Sequence, residues 1–185
     1  MHLKAALFPV LIGALFGTLQ MPATSANTSN TIYNWAAYFE NSTLSEAERI
    51  AELTWFAEVA QPFRGYTIRS VAEDIETHYW EREVLAPIFE EITGIRVQHE
   101  IIGEGSVVER LVEQQQTGRL LYDIYVNDAD LIGTHTRTEA VVNLTEYMAD
   151  EGAPYTNPYL DLNDNLMLDA NPRDLLKYRG EDFAL

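Results

Sequence analysis

The segment from Glu73 to Trp80 combines acidic side chains, a threonine, a histidine and aromatic rings, directly after an apolar run. Carboxylates and hydroxyls exchange hydrogen bonds with a polyhydroxylated ligand, and an aromatic ring can stack on the apolar face of such a ligand. Glu73, Thr77 and His78 are therefore the first candidate binding residues. The alternative is a solvated loop, and for Trp80 the pattern favours packing in the core.

A second polar group follows the apolar run from Leu121 to Val126. Asn127, Asp128 and Asp130 place an amide and two carboxylates at the end of a predicted strand. Ligands of open parallel sheets bind at the carboxyl ends of the strands, so these side chains are candidate ligand contacts. The alternative is that an aspartate caps the following helix, and one residue can cap while another binds.

The third candidate is the turn Gly103-Glu104-Gly105-Ser106, which begins like a dinucleotide-binding fingerprint. Val108 stands where that fingerprint needs its third glycine, and the Glu104 carboxylate would repel a pyrophosphate. We therefore interpret the segment as a turn with Ser106 as the helix cap. Glu104 is retained as a residue that can face a ligand cleft.

Patterns typical of catalysis or of a metal centre are absent from the sequence. The chain has no cysteine, no Gly-x-Ser-x-Gly elbow, and no second histidine at metal spacing after His99-Glu100. No catalytic residue, metal ligand or cofactor is predicted. The histidines interpreted as scattered and ordinary are His78, His99 and His135.

One further run, Asp161, Asn163 and Asn165, matches the first three ligand positions of a calcium loop. Leu166 occupies the position of the obligatory glycine and Pro172 that of the closing glutamate. A loop rich in Asn and Asp is the better interpretation.

The elements that must position these groups alternate between strand and helix. This alternation predicts an α/β fold, with a parallel-rich sheet and flanking helices. The predicted strands are 66–72, 96–102 and 121–126, and the predicted helices between them are 79–93 and 106–117. Thr93-Gly94 and Gly118 are expected to end these helices, and Pro87 implies a kink or a late helix start.

The flanking regions carry weaker patterns. Residues 27–41 are predicted to be a loose polar lead-in, and 46–60 a helix that begins with the capping box Ser45-x-x-Glu48. After the third strand we predict a short helix over 130–137 and a strand or extended segment over 140–144. A last short helix is predicted over 145–150, with Thr145 as its cap.

Residues 1–26 have the layout of a secretory signal peptide. Lys4 precedes an apolar run from Ala5 to Leu19, and small residues offer a cleavage site after Ala26. The net charge of −17 repels DNA, RNA and anionic lipid, so nucleic-acid binding is not expected. The remaining chain of about 160 residues suffices for one domain.

Three motifs together resemble a known family. "EITGI" before a strand, "GSVVERL" opening a helix and "YDIYVNDADLIG" at a strand end are similar to the extracellular solute-binding proteins of bacterial ABC transporters, in the branch that binds carbohydrates and polyols. The resemblance runs from about Glu52 to about Asp164. It implies a type II periplasmic-binding-protein lobe and ligand contacts in the loop after Glu73.

The resemblance implies a periplasmic monomer without enzyme activity or cofactor, which captures a sugar or polyol and delivers it to a membrane permease. Such proteins have two lobes and run to about twice this length, so we expect 1–26 to be the leader, 27–65 a lead-in and helix, and 66–185 an incomplete first lobe. Two alternatives stay open: an exported carbohydrate-active enzyme that uses paired carboxylates, and a non-functional truncated product.

Overall fold

The computed structural model describes residues 26–126, 131–160 and 177–184. The predicted leader, the calcium-like run and the candidate residues Asn127, Asp128 and Asp130 lie outside these ranges. The helices are α1 (Ala26–Tyr38), α2 (Glu46–Val59), α3 (Glu76–Trp80), α4 (Ala86–Thr93), α5 (Glu104–Thr117), α6 (Ile132–Arg137) and α7 (Leu144–Ala149). A π-helical segment (Glu81–Leu85) joins α3 to α4, and two 3₁₀ turns span Gln61–Phe63 and Ala153–Tyr155.

The centre of the fold is a parallel sheet of three strands in the order β2-β1-β3, which confirms the predicted α/β class. Its strands are β1 (Thr67–Glu73), β2 (Arg96–Ile102) and β3 (Ile124–Tyr125). β1 pairs with β2 along its whole length, from Thr67 opposite Arg96 to Glu73 opposite Ile102. A separate antiparallel pair joins β4 (Lys177–Tyr178) to β5 (Glu181–Asp182).

The third strand is shorter than the predicted 121–126. Its pairs are Ser70 with Ile124 and Val71 with Tyr125. Just before it, Gln114 Oε1 accepts the backbone N–H groups of Leu121 and Tyr122 at 2.7 and 2.9 Å. A side chain of α5 thus takes the hydrogen bonds that a neighbouring strand would otherwise make.

Helices cover both faces of the sheet. On one face Val71 of β1 packs against Val107 and Leu111 of α5, and all three are buried. On the other side α4 contacts β2 and brings Ile88 and Ile92 into a second cluster with α1 and α2. Both predicted strand-helix-strand units are therefore present, one on each face of β1.

The predicted lead-in over 27–41 is wrong, because most of it forms α1. Ile32, Trp35, Ala36 and Phe39 recur at helical spacing, so one face of the helix can enter the core. Ile32 and Ala36 are buried.

The helix predicted over 79–93 begins earlier, at Glu76, and is interrupted by the π segment. The Ala86 N–H donates to the Glu81 carbonyl, five residues back, immediately before Pro87. Proline has no N–H and its ring crowds the preceding turn, so this wider turn accommodates it without breaking the helix. A kink or a late helix start was predicted at Pro87, and the structure has a π-helical turn there, directly before the start of α4. Trp80 was expected in the core but is 45% exposed, because it lies two residues after the buried His78 and so on the opposite face of α3.

Helix ends follow the predictions in part. Gly94 and Gly118 cap α4 and α5 in the left-handed conformation, as expected. The Ser45–Glu48 capping box at α2 is also confirmed.

Two other predicted caps are wrong. Gly103, not Ser106, precedes α5, which begins two residues earlier than the predicted boundary. Asn143, not Thr145, caps α7, and the Thr145 hydroxyl instead accepts the N–H of Asp182 at 2.9 Å. The segment 140–144 pairs with no strand among the described residues. Within the described ranges, no helix is long and apolar enough to cross a membrane.

Candidate functional site

The carboxyl ends of the three strands meet at one edge of the sheet, which we call the carboxyl edge. β2 lies on one side of β1 and β3 on the other. The first crossover therefore leads to one side of β1 and the second passes back to the other side, so that the two connections diverge beside β1. Open α/β sheets bind ligands where the connections diverge in this way. Glu73 ends β1, Glu104 follows β2, and the Val126 N–H after β3 donates to the Val71 carbonyl at 2.9 Å.

The predicted residues after β1 divide between two faces of α3. Thr77 and Trp80, three residues apart and therefore on one helix face, are both exposed. His78 is 5% exposed and lies on the face turned toward the sheet. Thr77 and Trp80 are therefore accessible to solvent, whereas His78 is covered by the protein.

The acidic residues at this edge remain accessible to a ligand. Glu73 is half-buried and Glu104, the first residue of α5, is exposed. Between them, Asp74 accepts a hydrogen bond from Tyr79, and this bond raises the pKa of the Tyr79 phenol. The segments that follow β1 and β2 thus carry exposed or half-buried carboxylates, a threonine hydroxyl and an exposed indole.

A second group of polar side chains lies beneath α3, against the sheet. His78 Nδ1 is 2.8 Å from Glu81 Oε2, and His99 Nε2 is 3.5 Å from the same oxygen. His99 Nδ1 is in turn 2.6 Å from the Ser70 hydroxyl on the neighbouring strand. We call His78, Glu81 and His99 the buried triad after its two histidines, since the Glu81 side chain is 32% exposed.

The electrostatics of the buried triad favour neutral imidazole at His99. Burial lowers the pKa of His99, and the nearby Glu81 carboxylate opposes that shift. His99 Nε2 is buried and has no hydrogen-bond partner, because its contact with Glu81 lacks hydrogen-bond geometry. The triad therefore holds a nitrogen atom with unused bonding capacity.

The expectation that these histidines are scattered is wrong for His78 and His99, whose rings lie 6.2 Å apart. One signal was available in the sequence: His78 and Glu81 are three residues apart on a predicted helix, and so share a face. The contribution of His99 could not be seen, because it depends on the register that places it opposite Ser70.

Comparison with known proteins supports the fold. The structure is similar to a crystal structure of an ABC transporter solute-binding protein from Agrobacterium radiobacter K84 in complex with ribitol, with a TM-score of 0.52 and 19% sequence identity. The similarity covers 64% of this chain and 28% of that protein. No protein-family profile and no curated protein matches the sequence. The chain thus has an α/β fold similar to part of a solute-binding protein.

Proposed function

We propose that this chain belongs to the substrate-binding component of an ABC importer, and that its carboxyl edge contributes half of the solute site. The observation that carries this proposal is the divergence of the crossovers beside β1, which puts Thr77, Trp80 and the acidic residues at the usual ligand position of such sheets. The bound ribitol of the structurally similar protein supports a polyol or sugar as the solute.

In this proposal the chain captures its ligand without chemical change. Glu73, Thr77 and Glu104 exchange hydrogen bonds with hydroxyl groups, and Trp80 stacks on the carbon face of the ligand. Asn127, Asp128 and Asp130 are proposed to complete the site from the strand beside β1. His78 supports the site from beneath α3.

Transport follows from closure of two lobes on the ligand. A ligand that contacts both lobes only in the closed state shifts the population toward that state. The closed protein then presents the solute to an inner-membrane permease. Residues 1–26 are proposed to export the chain to the periplasm, where it acts as a monomer, and 66–185 to form part of the first lobe.

The test is a titration of the purified chain with ribitol, monitored by amide chemical shifts. We expect shift changes at Glu73, Thr77 and Glu104, with the ligand recovered intact. Trp80→Ala should weaken the changes. Tyr66→Ala is the matched control, because Tyr66 is an aromatic residue exposed to 64% just before the opposite end of β1.

Two results would overturn this function. Shift changes confined to residues away from the carboxyl edge would remove the solute site. Consumption of an oligosaccharide by the chain would favour the carbohydrate-active enzyme, which needs paired carboxylates as acid and base.

A further inference from the structure

The buried triad has the composition of a transition-metal site. Two imidazoles and one carboxylate each offer one ligand atom, and the three atoms lie within 4.8 Å of one another. Imidazole with carboxylate is a donor set that suits zinc and its neighbours, whereas magnesium and calcium prefer oxygen ligands alone.

Two of the three distances between ligand atoms lie near those of a zinc site, and the third, between His78 and His99, falls within 4.8 Å. Zinc binds nitrogen and oxygen at about 2.0–2.2 Å, which puts the ligands of a tetrahedral site about 3.3 Å from one another. His99 Nε2 and Glu81 Oε2 already lie 3.5 Å apart. His78 Nδ1 and Glu81 Oε2, at 2.8 Å, need to separate by about 0.5 Å.

Two further observations support a metal site: both histidine side chains are buried, and one ring nitrogen has no hydrogen-bond partner. The side chains of His78 and His99 are 7% and 6% exposed. His99 Nε2 has no hydrogen-bond partner, and a buried polar atom in that condition costs free energy unless something binds it. A metal ion would use that nitrogen directly.

The surroundings orient the ligands and leave a path to them. The Ser70 hydroxyl, 2.6 Å from His99 Nδ1, can accept the Nδ1–H and hold the ring so that Nε2 faces Glu81, the orienting role that a carboxylate, carbonyl or water plays for metal-binding histidines. A groove of about 320 Å³ is lined by Glu81, His99 and Ser70 together with apolar side chains of the sheet. The Glu81 side chain is 32% exposed, so an incoming ion meets this carboxylate first.

From these observations we propose that His78, Glu81 and His99 bind one divalent transition-metal ion of the zinc class, with Ser70 as a positioning residue and water in the fourth position. The metal would tie α3 and the π segment to β1 and β2. Binding of the metal does not depend on the solute site, so either proposal can fail alone.

The test uses the whole chain, freed of metal with a chelator and titrated with zinc chloride by calorimetry in the absence of sugar. We expect one zinc per chain and a rise in the melting temperature that grows with zinc concentration. Magnesium chloride at the same concentration should give no saturable heat, because the site contains two nitrogen ligands.

Two matched carboxylate variants distinguish zinc binding at the triad from zinc binding to the acidic surface. Glu81→Gln should weaken zinc binding by at least about tenfold, and Ser70→Ala by about 10- to 100-fold. Glu83→Gln is the control, because Glu83 is an exposed carboxylate in the same π segment, paired with Arg82. It should bind zinc like the parent chain.

Two outcomes contradict the site. One is the absence of stoichiometric zinc binding. The other is equal loss or equal retention of binding in Glu81→Gln and Glu83→Gln, which would mean adventitious binding to the acidic surface. A substitution of a buried histidine, such as His99→Gln, can prevent folding. Glu81→Gln still tests zinc binding in that case, since glutamine keeps the shape of the side chain and a hydrogen bond to His78.

Discussion

Ser70 and His99 face each other across the parallel pair β1–β2, and the Ser70 hydroxyl lies 2.6 Å from His99 Nδ1. The pair joins the two strands through side chains on the face that carries α3 and α4. Both residues are largely buried, so neither can replace this bond with one to water.

Ser70→Ala is therefore expected to lower the free energy of unfolding by about 1–3 kcal/mol, because it leaves a buried ring nitrogen without its partner. Urea unfolding of the metal-free chain measures the change. Ser106→Ala is the control, since Ser106 is exposed within α5 and does not cap that helix. A loss at Ser106 equal to that at Ser70 would contradict this account.

Leu111 anchors α5 on the sheet and is 4% exposed. Leu111→Ala should cost about 2–5 kcal/mol of unfolding free energy, because it removes buried apolar contacts and leaves a cavity beside Val71. The neighbouring Val112 is 40% exposed. Val112→Ala should change stability by no more than about 0.5 kcal/mol, measured by the same urea unfolding.

Burial raises the pKa of Tyr125 to about 12 from the ordinary value of 10.0. The folded protein then holds the phenol proton more tightly than the unfolded chain, so this contribution to stability is complete below pH 10 and disappears as the pH rises toward 12. Tyr125→Phe should reduce the fall in stability over that range. Thermal unfolding at a series of alkaline pH values measures the slope, and identical slopes in both proteins would refute the prediction.

Ribitol is expected to bind the isolated chain with a dissociation constant weaker than micromolar. The proposed site needs contacts from two lobes, and the structural similarity covers 28% of the solute-binding protein to which the chain was compared. Without the opposing lobe, closure cannot add its contacts to the binding free energy. Isothermal calorimetry gives the constant, and a micromolar value would show that the carboxyl edge suffices alone.

The central strands and their crossovers could be predicted because their patterns are local. The strand 96–102 has the predicted bounds, and Gly94 and Gly118 end their helices as glycine commonly does. Helix α1 was missed because Asn, Thr and Ser dominate its polar face, and only the spacing of Ile32, Trp35 and Ala36 reveals its core face.

The positions of the candidate site residues could be predicted only where they depend on local patterns. Glu73 could be placed near the end of its strand, and Thr77 and Glu104 after a strand, because the alternation sets the direction of the strands. Their contact with a ligand stays a prediction. The buried triad could not, since it depends on β-sheet register and on the inward face of α3. Tertiary pairing of this kind is not encoded in any short window of sequence.

The register of the sheet also bears on how the molecule assembles. Every pair between β1 and β2 joins residues 29 apart, as in Thr67 with Arg96, whereas Ser70 and Ile124 of β1 and β3 are 54 apart. Closing the shorter loop costs less chain entropy, so the first crossover unit can form before β3 docks. With just two paired residues, β3 would also be the first strand to detach from the native sheet, and its amide protons should exchange with solvent sooner than those of β1.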